Sequence, residues 1–173
     1  EHLLGKFVDL WGQLDLDIVT GWSVEFFDIP YLVNRIRNVL GDDYVKRLSP
    51  WRMVHSSELT IMNKTHTVFN IRGICVLDYL ELYKKYTYSS QESFRLNHIC
   101  SVELGEGKMD YSEYDNLFDL YKCNFQKFIE YNVRDVLLVD KLDAKLGFID
   151  QALTIAYDAK ITYDDIFSPV KTW

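Results

Sequence analysis

Leu3, Leu4, Phe7, Leu10, Trp11 and Leu14 recur at intervals of three and four, so residues 1–14 predict an amphipathic helix. Residues 17–24, Asp-Ile-Val-Thr-Gly-Trp-Ser-Val, are rich in β-branched side chains and predict a buried strand. Asp28-Ile29-Pro30 then opens a helix, with Asp28 or Ile29 near the cap and Pro30 in the first turn, where its missing N–H costs nothing. Tyr31, Val33, Ile36, Val39 and Leu40 keep the helical period until Gly41 stops it. Residues 53–61 and 66–72 predict two strands around Met62-Asn63-Lys64-Thr65. Polar Ser56, Ser57, Glu58 and Thr60 make that hairpin poor core material and lead it to project. Residues 74–78 predict a second buried strand running into a helix to about Tyr86. Further helices are predicted over 93–104, 121–146 and 148–158, with Gly105-Glu106-Gly107 as a loop.

Strands separated by helices, with helices dominating the second half, predict an α/β domain with a small parallel component. Ligands of such sheets gather beyond the carboxyl ends of the strands, where Glu25, Asp28 and Asp78 fall. A length of 173 residues predicts one domain, and 48% hydrophobic residues against 8 Gly and 3 Pro exclude disordered and collagen-like architectures. A net charge of −7 argues against a basic nucleic-acid coat protein. Cys75, Cys100 and Cys123 lack C-x-x-C spacing and predict reduced thiols; His2, His55, His66 and His98 fit no ligand spacing. Every uncharged run is shorter than ten residues, so no membrane-crossing helix is predicted. The chain opens Glu1-His2 without Met, which suggests a segment of something longer.

Tyr131 and Asp135 are four apart and share one face of the long predicted helix. A carboxylate after a strand, Asp28, and another on a helix face, Asp135, are the parts that hold hard divalent cations through oxygen. Two such cations about 3.5–4 Å apart clamp a phosphodiester, one activating water and the other stabilising the leaving oxygen, with Tyr131 placed to orient water or phosphate. The alternatives are that Asp28 is a helix cap and Asp135 a solvated edge residue. Arg35, Arg37, Lys46, Arg47 and Arg52 against Asp42 and Asp43 form either a phosphate-binding patch or an ordinary solvated face. Trp22, Phe26 and Phe27 could stack on an unpaired base. Packing suits Trp22 better, and Phe27, beside Asp28, is the better candidate for a nucleotide contact.

The run Thr20-Gly21-Trp22-Ser23-Val24-Glu25-Phe26-Phe27-Asp28-Ile29-Pro30-Tyr31, continuing to Asn34-Arg35-Ile36, closely resembles the second exonuclease motif of family B DNA polymerases, especially the replicative polymerases of T-even-type phages. Tyr131-Asn132-Val133-Arg134-Asp135 resembles their third motif, Tyr-x-x-x-Asp. Residues 46–50 and 76–85 also match, and residues 167–173 resemble the join into the polymerase palm, so the likeness is collinear over essentially the whole chain. It implies a ribonuclease-H-like proofreading domain over 1–166 that hydrolyses the primer 3′ terminus with two Mg²⁺ or Mn²⁺ ions. Asp28 and Asp135 would be metal-site carboxylates and Tyr131 would position the water. Residues 53–72 would be the hairpin that helps part primer from template, with Asn63 and Lys64 as DNA contacts beside Phe27 and Ser23. Lys108 resembles a lysine near the family's editing site. The implied partners are a single-stranded DNA 3′ end, primer-template and the remainder of the polymerase; the implied location is the cytoplasm of an infected bacterial host.

Two departures qualify the resemblance. The family's second motif usually opens with Asn where this chain has Ser23, which keeps a hydroxyl but loses the amide's reach. The family's first motif, Asp-x-Glu on an early strand, should precede residue 1, and Asp15-Leu16-Asp17 lies too close to the Trp22 strand to replace it. The isolated chain is therefore expected to be weak or inactive as a nuclease. The alternative reading is a silent fragment that only binds single-stranded DNA or docks. The strand over 17–24 would have an open edge, which predicts self-association or pairing with the absent segment.

Overall fold

Helix α1 (His2–Gln13) forms where the three-and-four period predicts it, and Val8 and Trp11 are its buried positions. The computed structural model describes residues 1–61, 64–107, 113–114 and 116–168, which fall into two units, Glu1–Leu82 with Ala152–Trp173 and Tyr83–Gln151.

In the first unit, β1 (Ile18–Gly21) leads into a π-helical turn, Val24–Asp28, then α2 (Ile29–Leu40) and α3 (Asp42–Lys46). The antiparallel hairpin β2 (Val54–Ile61) and β3 (Lys64–Ile71) follows, then β4 (Cys75–Asp78). β1 and β4 pair in parallel, Ile18 opposite Cys75 and Gly21 opposite Asp78, so α2, α3 and the hairpin make the crossover that a parallel pair requires. No other strand pairs with β1 among the described residues. Val8 and Trp11 of α1, Val24, Ile29, Val33 and Ile36, Val45 and Leu48, and Phe69, Ile71 and Ile74 form one core. The buried Trp11 indole N–H donates to the Leu48 carbonyl at 2.8 Å, which satisfies the one polar group that ring brings into the core. The result is a mixed α/β fold with a small parallel sheet.

The second unit is helical. Helix α4 (Tyr79–Tyr86) opens in the first unit and ends here; α5 (Leu96–Leu104), α6 (Leu117–Cys123) and α7 (Phe125–Leu146) follow. Helix α8 (Phe148–Ala159) begins in this unit and ends in the first, to which the short 3₁₀ turn Tyr163–Phe167 belongs. Ile99 and Cys100 of α5, Leu120 of α6, and Leu138 and Leu142 of α7 are fully buried. The Tyr83 hydroxyl donates to Glu103 Oε1 at 2.8 Å.

Several predicted elements change. The strand over 17–24 stops at Gly21, because tertiary acceptors capture the N–H groups beyond it. The hairpin turn is tighter than predicted: Ile61 pairs with Lys64, so only residues 62–63 connect the strands, and Asn63 lies outside the described residues. The hairpin is also only half a projection, since Val68, Phe69 and Ile71 at its base are buried while the described side chains near its tip are exposed. The helix over 93–104 starts at Leu96, after Ser93 Oγ accepts the Arg95 N–H. The long helix over 121–146 breaks at Asn124, whose side chain accepts the Lys127 N–H and caps α7.

Candidate functional site

Because Gly21 and Asp78 are register partners, the chain leaves both parallel strands at one level, and the residues that follow meet there. Asp78 is 1% exposed. Its Oδ1 accepts the Ser23 N–H at 3.1 Å and the Leu80 N–H at 3.0 Å, and its Oδ2 accepts the Glu25 N–H at 3.1 Å. Burial pushes this carboxyl above the ordinary carboxylate value, and the three N–H donors pull against that rise. Thr20 adds a second tie between the strands by donating its hydroxyl to the Leu77 carbonyl at 2.7 Å. Trp22 packs against buried Tyr79 at 6.4 Å between ring centroids, so this indole belongs to the packing.

Ser23 sits in the left-handed region at φ 63°, ψ 28°, and the chain then winds through the π turn to Asp28. π turns are rare and recur at functional sites. Asp28 occupies the N-cap position of α2 but makes no side-chain bond to the first-turn N–H groups, so the helix-cap alternative fails on geometry. It is exposed, and partial desolvation holds its carboxyl above the ordinary value. Phe27 beside it is 70% exposed, while Phe26 turns back to meet His66 of β3 edge-on at 5.7 Å.

Glu25 stands among more acids than the expected neighbour Asp78. Burial, then the charges of Asp78, Glu81 and Asp164, push its carboxyl up to about 7. Glu25 and Asp164 line a cavity of about 200 Å³ under the hairpin, with Val68, Phe69 and Val76 on its walls. Asp164 also accepts the buried Cys75 S–H at 3.0 Å. Nothing in the spacing placed Asp164 here, since the contact crosses 89 residues.

Glu25 gives a pH prediction. The folded chain keeps its proton until about pH 7, whereas the unfolded chain releases it near the ordinary 4.5, so the folded state binds more protons between these values. Stability from this group is complete below about pH 4.5 and is lost as pH rises through 7. Glu25→Gln should flatten that slope and raise stability at pH 8 by on the order of 1 kcal/mol after solvent screening. Melting curves at pH 5 and pH 8 test this: an equal slope in both proteins rejects it.

Tyr131 and Asp135 lie one turn apart on α7 in the second unit, Tyr131 buried and Asp135 half-buried. Next to Asp135, Arg134 donates to Glu106 Oε2 at 2.6 Å, and Lys141 donates to both Glu106 oxygens at 2.9 and 2.8 Å. These cations hold the Glu106 carboxyl below the ordinary range and fasten the loop after α5 to α7. Lys108, two residues further on, lies outside the described residues. Lys64 is exposed at the start of β3.

The basic stretch of the first unit is largely consumed by ion pairs. Arg37 pairs with Asp42 at 2.8 Å, Lys46 with Asp43 at 2.9 Å and Arg47 with Asp9 at 2.6 Å. This favours the solvated-face alternative. Among the described residues, no group of three His, Cys, Asp or Glu side chains is arranged to hold a metal ion. Asp78, in the acid neighbourhood of Glu25, has both oxygens engaged by backbone N–H groups.

Residues 1–99 match the family described as DNA polymerase family B, exonuclease domain. The whole chain is 41% identical over 173 residues to the DNA-directed DNA polymerase of Escherichia phage RB69, covering 100% of this chain and 19% of that protein. It is 38% identical over 171 residues to the DNA-directed DNA polymerase of Enterobacteria phage T4, covering 99% of this chain and again 19% of the relative. A more distant match, 27% identical over 164 residues, is the DNA polymerase delta catalytic subunit of Caenorhabditis elegans, with 87% of this chain and 15% of that protein covered.

The chain belongs to the exonuclease domain of family B DNA polymerases. It spans about a fifth of the length of its two phage relatives. In this exonuclease-domain chain, the segment from β1 through the π turn to α2 lies inside the matched region, and α7 with Tyr131 and Asp135 lies beyond residue 99 but within the alignment to both phage polymerases. No helix of the described residues is long and apolar enough to cross a membrane.

Proposed function

We propose that this chain is the 3′-to-5′ proofreading segment of a phage DNA-directed DNA polymerase, hydrolysing a misinserted nucleotide from the primer 3′ end by a two-metal reaction in the host cytoplasm. The observation that carries the reading is Asp28: an exposed, uncapped carboxylate with a raised pKa, at the end of a π turn inside the family-matched region. The proposed domain runs over 1–166 on a ribonuclease-H-like fold, with 167–173 leading to the palm.

Asp28 and Asp135 supply the donor type that Mg²⁺ or Mn²⁺ prefers, carboxylate oxygen. Among the described residues, no group of three His, Cys, Asp or Glu side chains is arranged to hold a metal ion. When bound, the ions supply an activated water and charge neutralisation at the leaving oxygen. The chain's own residues do the rest in this reading. Tyr131 positions the attacking water, Phe27 stacks on the terminal base, and Ser23, Lys64, Asn63 and Lys108 contact the strand. The hairpin separates primer from template. The edge of β1 that no strand covers among the described residues is the place where a further strand of the polymerase, or a second copy of this chain, would pair.

The test is a chimera in which this segment replaces its 173 aligned residues in the phage RB69 polymerase, so that DNA synthesis serves as the folding control. A 5′-labelled single-stranded oligonucleotide with Mg²⁺ or Mn²⁺ should be shortened stepwise from its 3′ end, and Asp135→Ala should abolish the ladder. A chimera that synthesises DNA but shortens nothing, or shortens equally with Asp135→Ala, rejects the proposal. The isolated chain should show weak digestion or none.

Phe27→Ala separates binding from folding. Its ring is 70% exposed, so the melting temperature of the variant should hardly move. Loss of one stacked base weakens single-strand binding by roughly 5- to 150-fold. Fluorescence anisotropy beside a thermal melt checks the ranking, and the reverse order would remove Phe27 from the DNA-contact set.

A further inference from the structure

We infer that Asp78 is the positioning residue of this site: its buried carboxylate locks Ser23 into the left-handed conformation and starts the π turn that presents Asp28. The inference rests on the reading of Asp28 as a site carboxylate. Its basis is the convergence of three backbone donors on a side chain that is 1% exposed.

The geometry explains why an acid stands at this position. After Gly21 the backbone leaves the ladder, and the N–H groups of Ser23 and Glu25 would otherwise need new partners away from water. Asp78, the register partner of Gly21, reaches both from the neighbouring strand. A carboxylate accepts on two oxygens and has no hydrogen to turn against them; an amide of the same shape has one accepting oxygen only. With Asn in its place, the oxygen could stay on the Ser23 and Leu80 N–H groups only by turning the NH₂ onto the Glu25 N–H, donor against donor. A bond between the Ile29 N–H and the Val24 carbonyl closes the π turn, so its start at Ser23 and its end beside Asp28 are one unit of backbone. Ser23 at φ 63° is the strained link in that unit, since only Gly, and less readily Asn or Asp, visits this region without cost. The carboxylate is what holds a serine there.

Hydrogen exchange on the isolated chain tests the lock directly. Asp78→Asn should speed exchange of the Glu25 amide about 10- to 100-fold, and of Ser23 by less, while ladder amides of β1 and β4 keep their protection. Adding Ser23→Gly, which takes φ near 63° freely, should restore part of the lost protection. In the chimera, Asp78→Asn should lower kcat for 3′ shortening about 10- to 100-fold, because positioning of Asp28 is lost, with a smaller rise in KM because Ser23 and Phe27 ride on the same turn. Unchanged exchange at Glu25 would overturn the inference. So would equal loss of protection across the ladder, or a rise in KM with kcat unchanged, each of which marks a merely structural acid. If the chimera with native Asp78 synthesises DNA yet shortens nothing, the reading of Asp28 fails on its own, and the exchange result still decides whether Asp78 holds the turn.

Discussion

Gly73→Ala should lower the stability of this chain by about 2–4 kcal/mol, while Gly5→Ala, the same added methyl group, should raise it by about 0.5–1 kcal/mol. The two glycines differ in what surrounds them. A Cβ at Gly73 would stand 2.6 Å from Pro50 Cγ and 3.2 Å from its Cδ, and the proline ring cannot swing aside as a flexible side chain would. Gly73 also sits at φ 90°, where an L side chain is strained whatever the space. At Gly5, inside α1, a Cβ meets nothing within 4 Å, so the residue there only weakens the helix. For a chain of this length the Gly73 variant should melt roughly 5–15 °C lower. The effect reaches the site through β4: Gly73 makes the turn in which the Ile74 N–H bonds the Ile71 carbonyl, and that turn delivers the strand ending in Asp78. Thermal melts of the two variants beside the parent protein check the opposite signs, and a Gly73 variant as stable as the parent would show that the Pro50 contact yields.

The parts of the fold legible in the sequence are those that repeat a local signal. Helix α1 shows its period over about three turns, Pro30 and Gly41 bracket α2, a β-branched run marks β1 and a short apolar run marks β4. What escaped depends on tertiary partners. Val24–Asp28 is only five residues long, too few to display a π period. The ladder ends at the Gly21–Asp78 pair, and the Asp78 carboxylate takes the Ser23 and Glu25 N–H groups beyond it from 55 and 53 residues away. The break between α6 and α7 is hidden because apolar positions continue through it; Asn124 was the one available signal. Helix α3, five residues long, is too short for a period and follows a glycine that reads as a stop. The candidate site divides the same way. The motifs single out Asp28, Tyr131 and Asp135 as candidates, but spacing alone left Asp28 indistinguishable from a helix cap, and only the geometry shows that its side chain makes no cap bond. The sequence put Glu25 and Asp78 together beyond the strand ends, but Asp164 stayed hidden because it arrives from the far end of the chain.

Asp28→Ala should separate function from stability more sharply than any other single change. In the chimera it should reduce 3′ shortening by at least about 100-fold, since substitutions one layer further from a metal already cost 10- to 100-fold. In the isolated chain it should leave unfolding free energy within about 0.5 kcal/mol of the parent, as for an exposed side chain that does not cap its helix. The physical reason lies in what Asp28 lacks. A structural aspartate at the start of a helix accepts a first-turn N–H and has its carboxyl pulled down; this one has no such bond and is held above its ordinary value by desolvation. A carboxylate kept at that disadvantage contributes nothing to α2, whose grip on the core comes from Ile29, Val33 and Ile36. The contrast with Ile36→Ala is the internal standard: removing that fully buried side chain should cost about 2–5 kcal/mol of stability. If Asp28→Ala instead destabilised the chain by a comparable amount, the residue would be a structural acid and the proposed editing site would lose its first carboxylate. If it left both shortening and stability untouched, the chemistry of the π turn would have to be sought in Glu25.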